Sequence, residues 1–216
     1  MNFVKKISNL LIVILLTLIN LVGSYYFFRI DLTNDQRYSI SKETKDILRN
    51  IDDIVYFKIY LHGDIPVEYK KLEDETKNML NEFRAYSKYI EYEFIDPSSL
   101  QNEEYKISLQ EELYRKGITP IPHRNYVNSK IEDFFIFPGI ISSYKSKEHS
   151  ISLVNQTMMN GTEEVIKKSI EDLEYLLINS IRNLTIKNKP KIALIEGHNE
   201  TTDHLIQSFK ELVSEY

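Results

Sequence analysis

From Ile7 to Phe28 the chain carries not one charged side chain. A helix of these 22 residues would be roughly 33 Å long at about 1.5 Å per residue, which matches a bilayer core of about 30 Å. Lys5 and Lys6 precede the run and Arg29 follows it. The bias of basic residues toward the cytoplasmic side predicts residues 1–6 in the cytoplasm and the remainder outside. Tyr25, Tyr26, Phe27 and Phe28 stand at the far end, where interfacial aromatics belong. Residues 7–28 are therefore expected to be a transmembrane anchor. A cleaved leader is the competing reading, with Val22-Gly23-Ser24 as its small-residue site. Its apolar region would normally be shorter, and here aromatics continue past the cut. The run is apolar all round, which sets it apart from a core helix with one apolar stripe.

Over the whole chain the composition is that of an ordinary globular protein, with 27% charged and 42% apolar residues. The chain has no cysteine, so disulfides, thiolate metal sites, dithiol redox chemistry and cysteine nucleophiles are excluded. The formal charge of −5 becomes −7 without Lys5 and Lys6. Such an acidic domain suits neither nucleic acid nor an anionic lipid surface, so no nucleic-acid partner is expected.

Element signals after the anchor are clear. Ser41 can cap a helix running to Asn50, with Glu43 in its first turn. Ile54 to Leu61 is β-branched and aromatic and ends at His62-Gly63-Asp64, which reads as a strand and turn. Pro66 opens a helix to about Lys88, in which Leu72, Thr76, Met79, Phe83 and Tyr86 form one apolar stripe. Ile90 to Ile95 alternates like a half-buried strand and stops at Asp96-Pro97. A polar helix over about 101–116 ends at Gly117. Residues 119–122 are extended. Strands follow over about 131–145, bent at Pro138-Gly139, and over about 149–154. One long helix is expected from Thr162 to Ile186, with Ile166, Ile170, Leu173, Leu177, Ile181 and Leu184 as its stripe. The order β-α-β-α-β-β-α is that of a thioredoxin-like domain.

Asn188-Lys189-Pro190 reads as a linker. Lys191 to Ile195 is a short buried-type strand, and a helix over about 202–215 carries Leu205, Phe209 and Leu212. A lone β-α unit cannot cover both faces of its strand. Either the chain is truncated here, which is the preferred reading, or the unit docks on the preceding domain. The expectation is thus an α/β protein in four parts: a cytoplasmic N-terminus (1–6), a transmembrane anchor (7–28), an exported thioredoxin-like domain without redox cysteines (29–187), and the first β-α unit of a truncated Rossmann-like domain (188–216).

Several stretches taken together resemble a known family. Asp31-Leu32-Thr33, followed by Arg37-Tyr38-Ser39-Ile40-Ser41 and Thr44, is similar to the opening of substrate-binding-type auxiliary proteins of ABC transporters. Tyr60 to Pro66, Glu82 to Ser87, Tyr92 to Pro97, and Ser169 to Tyr175 continuing to Arg182 and Leu184 resemble the gliding-motility-associated substrate-binding family, GldG, of Bacteroidota. Ile195-Glu196-Gly197-His198-Asn199-Glu200 is similar to that family's Glu-Gly-His-Gly-Glu turn, with Asn199 in place of a glycine. The resemblance implies a non-enzymatic accessory subunit on the outer face of the inner membrane, beside an ABC permease and a separate ATPase. Family members are longer and carry a further transmembrane helix, which accords with truncation.

The motifs of common chemistries are missing. There is no Walker A sequence, no G-x-G-x-x-G after the Lys191–Ile195 strand, no G-x-S-x-G and no His-Glu-x-x-His. The best candidate cluster is Glu196, His198, Glu200 and His204, whose imidazoles and carboxylates suit a divalent metal. A solvated turn is the preferred reading of that cluster, so no metal, cofactor or catalytic residue is expected. His62, His123 and His149 are scattered and expected to be exposed. Asp52/Asp53, Glu103/Glu104 and Glu111/Glu112 are expected on solvated faces. The chain has 15 tyrosines and no tryptophan. Tyr86/Tyr89/Tyr92 and Tyr56/Tyr60 read as half-buried strand positions, with a binding surface as the alternative.

Overall fold

The computed structural model describes residues 40–100, 102–127, 130–155 and 161–186, with positions 9, 11–18, 20, 207 and 209 besides, and side chains outside 125–133. The chain divides into two units, Met1–Ser39 and Ile40–Tyr216. In the first, residues 11–18 are helical and exposed, and Thr17 Oγ1 donates to the Val13 carbonyl at 2.8 Å. Among the described residues no helix is long and apolar enough to cross a membrane. The Asp31–Thr44 signature up to Ser39, most of the 7–28 run, and the β-α unit over 188–216 apart from positions 207 and 209, with its Glu196–His204 cluster, lie outside the described residues.

The second unit begins with helix α1 (Lys42–Arg49). Ser41 caps it as expected, its hydroxyl accepting from the Thr44 N–H at 3.2 Å. A distant carboxylate completes the cap. Glu174 Oε1 accepts from the Ser41 N–H at 2.8 Å and from the Thr44 hydroxyl at 2.6 Å. An acid at a helix N-terminus is favourable, and here it also pins α1 to a helix some 130 residues later in the chain.

Strand β1 (Val55–Ile59) is the centre of a four-stranded sheet. Val55, Phe57 and Ile59 are all fully buried, while Lys58 is exposed. Strand β2 (Ile90–Phe94) pairs with β1 in parallel, so the two need a crossover, and helix α2 (Val67–Tyr86) supplies it. The α2 stripe points inward as expected: Leu72, Thr76 and Phe83 are fully buried, and Met79 and Tyr86 pack against the core. Helix α3 (Glu103–Arg115) is capped by Asn102 and ends at Gly117, whose φ of 81° is the left-handed value a helix terminus of this kind requires.

Two expectations need correction. Residues 131–145 are not one bent strand. Strands β3 (Ile121–Val127) and β4 (Lys130–Ile136) form a two-stranded sheet of their own, and β5 (Gly139–Tyr144) belongs to the main sheet. Residues 121–122, expected only to be extended, are the start of β3. Pro138 has no N–H to continue a ladder. Gly139 lets the chain turn onto β5 where space is shortest: a Cβ there would lie under 3.0 Å from three side-chain carbons of Ile118. Strand β6 (Lys147–Ser152) closes the sheet in the order β2-β1-β5-β6, with β5 antiparallel to both β1 and β6.

The second correction concerns the long helix over 162–186. It is two helices, α4 (Thr162–Glu171) and α5 (Leu173–Thr185), joined at Asp172. The Asp172 N–H still reaches the Lys168 carbonyl at 3.0 Å, and the Leu176 N–H reaches the Asp172 carbonyl at 2.9 Å. The i→i−4 phase survives the junction, so the apolar stripe runs through unbroken.

Helices cover the sheet unequally. The main core joins β1, β5 and β6 to α1, α2, α4 and α5 through Phe57, Ile140, Leu80, Phe83, Leu177 and Ile181. A smaller cluster of Tyr60, Leu113, Ile118, Phe137 and Ile141 seats α3. Ile140 and Ile141 are neighbours on β5 yet belong to different clusters. Consecutive strand residues face opposite sides, so β5 is buried on both faces. Lys116 fastens the end of α3 to β6 by bridging Glu112 at 2.8 Å and Glu148 at 2.7 Å.

Candidate functional site

Parallel pairing of β1 and β2 brings their carboxyl ends, and the loops after them, to one rim. That rim is where ligands bind in open α/β sheets. The loop after β1 is Tyr60 to Pro66 and the loop after β2 opens at Ile95-Asp96-Pro97. The Ile95 N–H extends the ladder to the Ile59 carbonyl at 2.8 Å, which fixes the two loops side by side.

Gly63 sets how close they come. Its φ of 108° is a conformation that side-chain-bearing residues rarely adopt. A Cβ at Gly63 would lie 2.5 Å from Asp96 Oδ2, so the Asp96 carboxylate sits directly against the glycine backbone. Asp96 Oδ1 also accepts from the Ser98 N–H at 2.7 Å, the side-chain turn that Asp before a loop commonly makes.

His62 is held by a buried acid. Its Nδ1 lies 2.7 Å from Glu73 Oε1, and Lys70 Nζ lies 2.7 Å from Glu73 Oε2. The Glu73 side chain is only 7% exposed, against 41% for His62. A buried carboxylate must be paired to be tolerated, and Glu73 is paired on both oxygens. Hydrogen bonding to a carboxylate makes Nδ1 the donor, which leaves Nε2 of the neutral ring as a lone-pair acceptor. The ring also rests 5.7 Å from Phe94.

These groups open on a cavity of about 230 Å³, lined by His62, Asp64, Asp96, Ser98, Phe134 and Phe135 above a floor that includes Tyr60 and Phe137. Two larger concavities, of about 610 and 490 Å³, lie beside α4 and beside α3. The first holds Lys168 and Asp172, which pair with each other at 2.8 Å. In the second, Ile107, Tyr114, Phe135 and Phe137 dominate. Of these three cavities among the described residues, the rim cavity alone gathers an oriented imidazole and two carboxylates. Among the described residues no group of three or more His, Asp or Glu is placed to hold a metal ion.

His123 and His149 are not exposed as expected. His123 is half-buried, edge-on to Phe134 at 5.2 Å. His149 is half-buried between β6 and α5, with Nδ1 3.1 Å from Ser180 Oγ and Nε2 3.4 Å from Asn183 Nδ2. Ser142 Oγ meets Ser180 Oγ and donates to the His149 carbonyl at 2.9 Å. Both serines are fully buried, so no substrate reaches a nucleophile there, and the chain of hydroxyls serves packing. The tyrosine cluster is half-buried, as expected. Tyr86, Tyr89 and Tyr92 pack on the core, and the chain's own cations cover their faces, with Arg84 4.3 Å from the Tyr92 ring centre and Lys88 5.1 Å from that of Tyr89. Asp52, Asp53, Glu103, Glu104 and Glu111 are exposed as expected and Glu112 half-exposed. Asp52 nevertheless accepts from the Tyr144 hydroxyl and from Lys145, which together hold its carboxyl below the usual range.

Glu73, Lys70, Phe134 and Phe135 were not singled out as site residues in the sequence. A signal existed, since two of the family-like stretches flank one crossover helix: Tyr60–Pro66 follows β1, and Tyr92–Pro97 ends β2 and runs into the loop after it.

Tyr60, under this rim, provides a test of the packing. Burial, reinforced by the Glu112 carboxylate and opposed by Lys116, pushes its phenol up to about 12 from 10.0. A raised folded-state pKa contributes stability fully present below pH 10, which is lost as pH rises through about 12. Phenolate absorbance of the native chain should therefore show a late-titrating tyrosine that Tyr60→Phe removes. A native titration identical to the denatured one would contradict the burial of Tyr60.

Residues 34–143 match the family designated a domain of unknown function, DUF7088. The chain belongs to this family. The DUF7088 match holds α1 to α3, both rim loops and the β3–β4 hairpin, and ends within β5. The strand β6 and helices α4 and α5 that complete the sheet and core lie beyond it. The chain is also similar to an uncharacterized protein of Borreliella burgdorferi, 25% identical over 221 residues. That similarity covers 98% of this chain and 37% of the relative, so the chain spans little more than a third of the relative's length. No solved structure matches it.

Proposed function

We propose that this DUF7088 chain is the anchored, exported binding portion of an accessory subunit of an ABC transporter, of the gliding-motility-associated type. In this reading residues 7–28 form the membrane anchor, the α/β unit recognises a substrate or partner, and a separate ATPase drives a permease. The observation that carries it is the convergence of two family-like stretches, Tyr60–Pro66 and Tyr92–Pro97, on one cavity. The strand order β2-β1-β5-β6, with β5 running opposite to the other three, supports a thioredoxin-like scaffold. The loop after β1 holds His62-Gly63-Asp64 instead of a thiol pair, which supports binding without thiol redox chemistry.

The experiment is co-purification. Tagged full-length protein in mild detergent should bring down a multi-span permease, and recovery as a lone chain would overturn the proposal. A second reading, an anchored binding module of an ABC exporter unconnected with motility, is favoured by a relative in Borreliella burgdorferi rather than in the Bacteroidota to which the motility resemblance points. A deletion strain that still glides would select it.

A further inference from the structure

We propose that the rim cavity binds an organic cation, a guanidinium or ammonium group on a short apolar stem. The inference deepens the binding-module reading and rests on it for the site, but not for the transporter.

The argument is one of donors and acceptors. Asp64 and Asp96 bring ionised carboxylates, which only accept. His62 commits its Nδ1 to Glu73 at 2.7 Å, so its remaining nitrogen also accepts when the ring is neutral. Lys70 is spent on the other oxygen of Glu73 at 2.7 Å. The groups facing the cavity are thus rich in acceptors and negative in sum. A phosphate or carboxylate ligand would meet like charge, and among the described residues that line the cavity there is no Lys or Arg to offset it. A guanidinium carries five donors and no acceptor, and an ammonium three and none.

The walls are consistent with such a ligand. Phe134 and Phe135 line the same space, and Phe135 is 50% exposed. Aromatic faces beside carboxylates attract cations, most strongly where water is excluded. The volume of about 230 Å³ falls below the roughly 300–1,000 Å³ of sites for drug-sized ligands. It suits one side chain or a small amine and not a nucleotide. The same acceptors do not make a metal site, because they are not gathered closely enough to coordinate one ion.

The test is calorimetric titration of the full-length chain in detergent micelles with two probes, agmatine and acetyl-Ala-Arg-Ala-amide, against acetyl-Ala-Glu-Ala-amide. Saturable binding of both cations is expected if the free amine suffices, and of the peptide alone if a polypeptide is the source; the acidic peptide should not bind. Asp64→Asn removes one carboxylate at an exposed position and should weaken binding about tenfold, the worth of a charge-assisted hydrogen bond. Phe135→Leu keeps apolar bulk without the aromatic face and should weaken it several-fold. Circular dichroism should show both variants folded. Heat without saturation for either cation, equal binding of the acidic peptide, or unchanged affinity in folded Asp64→Asn and Phe135→Leu would overturn the proposal. The result is independent of whether a permease co-purifies, so the two readings fail separately.

Discussion

Phe57→Ala should cost about 3–5 kcal/mol, the usual loss for truncating a buried phenylalanine. Phe57 is the middle residue of the central strand, paired with Tyr92 on one side and Ser142 on the other, and is fully buried. It belongs to the core cluster that also contains Leu80 and Phe83 of α2 and Leu177 and Ile181 of α5. Backbone pairing on both flanks keeps β1 in place, so the surroundings have little freedom to collapse into the void, and the cavity term adds to the lost burial. Domains of this size are stable by about 5–15 kcal/mol, so the variant should be near its folding limit. Urea unfolding followed by circular dichroism measures the effect. A loss under about 1 kcal/mol would mean that β1 is not the centre of the sheet.

Gly63→Ala should combine a stability loss of about 2 kcal/mol or more with loss of the rim cavity. Two independent penalties meet at this residue. The φ of 108° disfavours any Cβ, and the Cβ built there would fall 2.5 Å from Asp96 Oδ2. Relief requires the Asp96 carboxylate to move, which breaks its bond to the Ser98 N–H and withdraws an acceptor from the cavity. Gly117→Ala is the informative comparison. Gly117 has a φ of 81°, but nothing lies within 4 Å of a Cβ there, so only the conformational penalty of about 1–2 kcal/mol applies. Unfolding midpoints of the two variants separate strain from collision. Equal losses, with cation binding intact in Gly63→Ala, would show that the two loops do not meet as described.

Much of the second unit was legible because local physics decides it. The helix over 42–49 follows from Ser41 and Glu43, and the end of α3 from Gly117. The apolar stripes of α2 and of α4–α5 follow from spacing alone. Errors arose where one pattern serves two outcomes. The β-branched, aromatic run over 131–145 reads as one strand because alternation reports burial and not which sheet a strand joins. Pro138 and Gly139 were visible as a bend, but only Ile118 against Gly139 shows why the chain must leave one sheet there for the other. The histidines were misjudged for a similar reason. An isolated His carries no periodic signal, and the partners of His62 and His149, namely Glu73, Ser180 and Asn183, come from helices that pack on the sheet.

The sequence by itself determined the anchor-like run, the absence of thiol chemistry and the order of most elements, because these depend on composition, on propensity and on spacings of two, three and four residues. Tertiary structure alone decided the pairing of β1 with β2 and β5, the second small sheet and the rim cavity. Parallel pairing brings together loops some thirty residues apart, and a buried carboxylate acquires its partners only when the core closes around it.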